Sequence, residues 1–199
     1  MSDFKIIHPQ LGAVPVSSTG TVKLLPLGYV AQAQDIQSGS GSKDIGCGLF
    51  RYVNGATASA PVKGDLVMLL GNTAQVVGSA CSVSYLPLGI AAGSMSNTNV
   101  YGWVQVYGMC DYAKMENAST DSYNAGVRAA TAFIGSATDG CMNTTQSATG
   151  NAIIGIGFPF GSANLTGASS SWSAASFSNM TVQLFHPQIR GNSNSAGGM

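Results

Sequence analysis

The chain has 199 residues, 45% of them hydrophobic, and eight basic residues balance eight acidic ones. Charged residues make up only 8%, against about 25% in an average soluble domain. That excludes nucleic-acid binding through phosphate neutralisation and disorder driven by charge, and so weakly charged a surface predicts a chain covered by partners in an assembly.

Residues 1–20, with Pro9 and Pro15 and no helical pattern, are expected to form an extended N-terminal arm. Phe4, Ile6, Ile7, Leu11 and Val14 read as too scattered for a strand pair of their own, yet apolar enough to anchor on a neighbouring subunit. The start, Met1-Ser2-Asp3-Phe4-Lys5, leads into no apolar signal core and predicts synthesis in a cytoplasm. No run of eighteen apolar residues occurs, so no membrane-spanning helix is expected.

Residues 21–190 read as one β-rich domain of short strands separated by Gly, Ser, Asn and Pro. Gly39-Ser40-Gly41-Ser42-Lys43-Asp44 lacks the spacing of a phosphate loop and predicts a surface loop. Residues 65–70 (DLVMLL) and 74–77 flank Gly71-Asn72, which predicts a hairpin. Residues 100–107 form the clearest strand, with Trp103, Gln105 and Tyr107 on one face and Gly102, Val104 and Val106 on the other. Residues 121–134 read as a strand or a short helix, with Gly126 interrupting the alanines. In 152–158, Ile154, Ile156 and Phe158 share a side; in 180–185, Met180, Val182 and Leu184 oppose Thr181, Gln183 and Phe185. Between them, Trp172 stands alone in a Ser/Ala-rich stretch, either an interface anchor or a plug beneath the loop. Residues 191–199 are expected to form a flexible tail.

This pattern predicts an all-β fold, a barrel-like or sandwich domain with long Gly/Ser-rich loops. A weak echo points to repeated hairpin units. Leu25-Pro26-Leu27-Gly28 returns as Leu86-Pro87-Leu88-Gly89 and, more faintly, as Ile153-Ile154-Gly155-Ile156. Residues 62–66 are loosely matched by 124–127, and polar-centred strands recur at 49–53, 103–106 and 182–185. The His-Pro-Gln triplets at His8 and His186 suggest strands ending at proline.

Nothing here assembles a catalytic site. Both histidines precede proline, no serine sits in a nucleophile elbow, and Asp111, Glu116 and Asp121 are the nearest approach to a carboxylate cluster. Cys47, Cys81, Cys110 and Cys141 lack the paired spacing of zinc ligands, and all four are expected to be reduced. No cofactor and no metal are expected, and the chain reads as a non-enzyme.

The succession V-K-G-D-L-V at 62–67, L-P-L-G-I-A at 86–91 and Y-G-W-V-Q-V-Y-G at 101–108 resembles the head decoration, or cement, proteins of tailed double-stranded-DNA bacteriophages. A fainter copy runs through 124–127, 153–157 and 182–185. The resemblance implies a β-barrel-like or sandwich protein, often trimeric, on the outer face of a capsid. Its partner would be the major capsid protein, with no nucleic acid and no membrane contacted. It implies location on the virion exterior after synthesis in the bacterial host cytoplasm. The alternative is a tail-fibre or receptor- and glycan-binding module, in which Tyr101, Trp103 and Tyr107 would meet sugars.

Overall fold

The structure, a computed structural model, describes residues 4–8, 12–35, 46–78, 86–116, 132–134, 139–143, 152–157 and 177–190. The fold is all-β, and every regular element among those residues is a strand. In chain order these are β1 (Phe4–His8), β2 (Gly12–Pro15), β3 (Val30–Asp35), β4 (Cys47–Asn54), β5 (Leu66–Leu70) and β6 (Thr73–Val76), followed by β7 (Leu88–Ala91), β8 (Tyr101–Glu116), β9 (Ala132–Ile134), β10 (Met142–Asn143), β11 (Ala152–Gly157) and β12 (Phe177–Arg190). Hydrogen bonds join all twelve into one mixed sheet.

The sheet is built around β8. Its N-terminal half lies between β4 and β7, and the series β4-β8-β7-β5-β6 closes on itself where Thr73 of β6 meets Asn54 of β4 in parallel. Its C-terminal half pairs with β12, and β8-β12-β11-β9-β10 closes in the same way, Met142 opposite Met115. Each ring holds five strands in the same order and the same relative directions. One four-strand unit is thus laid down twice, and each copy closes on the last strand of the segment before it. The second and third members of the sequence echo fall on equivalent strands, β7 with β11 and β8 with β12. The first does not: Leu25 to Gly28 lie in a turn-rich stretch before β3.

The hairpin read at 65–77 is β5–β6, with Leu70 opposite Thr73 across Gly71-Asn72. Val53, Val67, Leu69, Ala74, Ala91, Val104 and Val106 come from all five strands of the first ring and fill it as one cluster. A larger cluster covers the opposite faces of β4 and β8, from Phe50, Tyr52 and Trp103 onward to Ile153, Ile156, Val182 and Leu184. From Gly102 to Val106 β8 is buried on both faces, and Gln105 is the one polar side chain in that stretch.

Several expectations are corrected. The N-terminal segment is not an extended arm: β1 and β2 pair with each other, and β1 pairs with β3. Phe4 and Ile6 are each 2% exposed, with the Phe4 ring centred 5.2 Å from that of Phe50. Their period-two spacing suits a strand, but it lasts only two pairs and is easily read as scatter. Strand β8 runs to Glu116, well beyond Tyr107. Gly108 allows this with φ +95°, and a Cβ there would stand 2.5 Å from the Cys47 carbonyl oxygen.

Strand β12 does not end at Pro187 but continues to Arg190. The register slips between Ile154 and Ile156, where Gly155 (φ +82°) faces a bulge carrying His186 at φ 50°. The bulge takes Pro187 out of the regular ladder, so its missing N–H interrupts nothing. The same slip breaks the alternation expected in 152–158, so that Ile153 and Ile156, three residues apart, are both buried. Residues 132–134 of the ambiguous segment are strand. Phe158, Cys81, the 39–44 loop, the rest of 121–131 and the 191–199 tail lie outside the described residues.

Candidate interface surface

The three strands outside the rings create an open face. In β3 burial alternates strictly, with Ala31, Ala33 and Asp35 turned into the core and Val30, Gln32 and Gln34 turned out. Residues directly opposite one another share a face, so the outer side can be followed strand by strand through Ala13–Ile7, Lys5–Gln34, Gln32–Leu49, Leu49–Tyr107 and Tyr107–Phe185. It crosses β2, β1, β3, β4, β8 and β12, a width of about 24 Å at the usual strand spacing.

Large apolar side chains stand exposed along it: Ile7 at 70%, Val30 at 50%, Tyr107 at 40% and Phe185 at 52%. Tyr107 and Phe185 meet edge to face at 6.0 Å, and the His186 ring lies 5.5 Å from Tyr107. Tyr107 leaves the face of Trp103 and Gln105 because β8 bulges there: Leu49 opposes Tyr107, while the next residue, Phe50, opposes Gln105. Exposed apolar groups on a rigid scaffold mark an interaction surface when they gather in this way.

Beside this row lies a groove of about 150 Å³. Val30, Leu69, Leu88, Val106 and Pro187 form apolar walls, with Arg51 and His186 among its lining residues. The Arg51 guanidinium donates through Nη2 to Gly71 O (2.9 Å) and Asn72 Oδ1 (3.0 Å). Its Nε–H is buried and has no acceptor among the described residues.

Of the residues proposed from sequence as interface anchors, Ile7 lies on this face, exposed. Val14 is half-buried on β2, opposite Ile6. Phe4 and Ile6 are core residues, whereas Leu11 and Trp172 lie outside the described residues. The sequence reading missed Val30, Arg51 and His186 as surface groups; of the aromatics it set against sugars, Tyr107 is exposed and Trp103 is buried. Phe185 was within reach, since alternation set it opposite Val182 and Leu184.

The described residues hold no cluster of three metal-ligating side chains, and no helix among them is long and apolar enough to cross a membrane. Cys47 is exposed, and Cys110 and Cys141 are buried; Cys47 and Cys110 are free thiols. Burial pushes the Cys110 thiol up to about 12, which makes it a poor nucleophile. Comparison with family models, curated proteins and solved structures gives no match.

Proposed function

We propose that this chain is a structural virion protein that decorates the outer face of a capsid. It binds the major capsid protein there as a homo-oligomer, the trimer being the state that the resemblance to phage cement proteins implies. The motifs behind that resemblance fall at the entry and start of β5, in β7 and in β8, three of the five strands of the first ring. The observation that carries the reading is the open sheet face, with exposed Ile7, Val30, Tyr107 and Phe185 held on paired strands. A clamp that engages only the expanded lattice stabilises it by mass action, and many copies need contribute only modestly each.

The test is co-sedimentation with expanded empty capsids assembled from the major capsid protein. The chain is expected to pellet with the shells, and the double substitution Ile7→Ser, Phe185→Ser is expected to leave it folded in the supernatant. Folded wild-type protein that stays in the supernatant overturns the proposal. The edge-to-face pair of Tyr107 and Phe185 favours a second reading, a receptor-binding module that stacks on sugar rings. Selective retention on a glycan array, abolished by Tyr107→Ala, would transfer the assignment to that reading.

A further inference from the structure

The geometry points to the groove beside Arg51 as the recognition site for an extended acidic segment of a protein partner. One carboxylate would be held by the guanidinium, and a neighbouring apolar side chain would be seated between Val30, Leu88 and Pro187. The inference deepens the proposed interface by naming the chemistry of what it contacts, and in that respect it rests on the decoration reading.

Three independent features meet at this place. The first is a charge with donors to spare. Among the described residues Arg51 donates only through Nη2, to Gly71 O and Asn72 Oδ1, and its buried Nε–H has no acceptor there. A buried donor without a partner is uncommon and needs a reason. A guanidinium has a planar fork suited to carboxylate, and a second acceptor group would complete it. Among the described residues that line the groove there is no carboxylate to fill that role.

The second feature is shape. Leu69, Leu88 and Val106 are almost fully buried and make a floor, while Val30, 50% exposed, stands directly opposite Arg51 on the neighbouring strand. A side chain entering there meets apolar surface on several sides and leaves its backbone beside the charge. The third is strain. His186, in the groove wall, is the one non-glycine residue with positive φ among the described residues, at 50°. A conformation of this kind persists only when its surroundings impose it, and such residues gather at ligand clamps. Here it fixes the bulge that brings Pro187 and Gln188 against the groove. The aromatic pair of Tyr107 and Phe185 continues the apolar surface outward, which gives a longer segment a path to follow.

The experiment uses the full chain and two fluorescein-labelled, end-blocked heptapeptides, Ser-Gly-Leu-Asp-Leu-Gly-Ser and its Asn counterpart, with binding read by anisotropy. The Asp peptide is expected to bind about tenfold more tightly than the Asn peptide, the size of one charge-assisted hydrogen bond. That preference should shrink with added salt and vanish in Arg51→Gln. Val30→Glu alters an exposed rim position without touching the Arg51 hydrogen bonds; it should also abolish the preference, so the test survives if Arg51→Gln fails to fold. Equal affinities for the two peptides, no binding of either, or a preference that persists in both variants overturns the inference. Capsid co-sedimentation of the wild type, run in parallel, separates the two claims. Shells that bind a chain indifferent to the Asp peptide sink the groove alone, whereas Asp-selective binding by a chain that ignores shells sinks the decoration reading alone.

Discussion

Gln105 sits fully buried in the N-terminal half of β8 and braces the bulge between Gln105 and Tyr107. Its Nε2 donates to the carbonyls of Met109 (2.8 Å) and Tyr107 (3.3 Å), and its Oε1 accepts from the Tyr112 hydroxyl at 2.8 Å. Where the strand kinks, the side chain supplies donors that the ladder does not. Gln105→Leu should therefore cost roughly 1–3 kcal/mol for each group left unpaired, and Tyr112→Phe only about 1 kcal/mol. Chemical denaturation of the two variants checks the difference, and equal losses would deny Gln105 this role. Burial also raises Cys110 to about 12, from an ordinary value of 9.0, and raises Tyr112 well above the usual phenol range. For an acid whose folded pKa is raised, the unfolded chain loses its proton first as pH rises, so stability falls across the interval between the two values. The melting temperature should drop between pH 9.0 and about 12, and the slope should be shallower in Cys110→Ala. An unchanged slope in that variant would show that Cys110 ionises as freely in the folded protein as in the unfolded chain.

At the scale of elements, the strands legible from sequence were those whose alternation runs for several residues without a break. The first half of β8 and the Val182/Leu184 face of β12 belong to this class, and the β5–β6 hairpin was legible from the Gly71-Asn72 turn between two apolar runs. The remainder was hidden by local irregularity. A glycine bulge lets β8 continue past Tyr107, a left-handed histidine lets β12 pass a proline, and β1 is too short to display its period. The open face was less legible than the fold, because exposure there depends on which neighbouring strands are present. Ile7, singled out in the sequence for its apolar character, is exposed there, whereas Val30 needed the strand order. The reassignment of β1 is itself testable. Phe4→Ala removes a ring packed on Phe50 and should cost about 3–5 kcal/mol, and deleting residues 2–11 should lower the melting temperature by more than Phe4→Ala alone. A deletion that melts like the full chain would restore the picture of an independent arm. Between the rings, Lys114 Nζ lies 2.6 Å from Asp65 Oδ1, both largely buried, while Asp65 Oδ2 accepts from the Val62 amide at 2.8 Å. This pair ties the second half of β8 to the entry of β5.

The whole molecule repeats one construction on a shared wall. Had the two rings been separate barrels joined by a linker, each would carry its own core and unfold on its own. Instead β8 supplies Val104 and Val106 to the first ring's interior, and pairs residues 107–116 with β12 to begin the second. Neither ring closes without it, since β4 and β12 lie on opposite edges at Tyr107. Losing either ring would leave half of a sixteen-residue strand with open edges and one apolar face in water. Partial unfolding therefore exposes surface in both rings, and the two should melt together. Leu69→Ala, inside the first ring, and Leu184→Ala, on the second, should each lower one common transition, by about 2–5 kcal/mol in stability. Calorimetry should record a single peak in both variants, with the van't Hoff enthalpy equal to the calorimetric one. A second peak in either variant, displaced while the first stays in place, would show that the rings fold independently and that β8 is only a bridge between them.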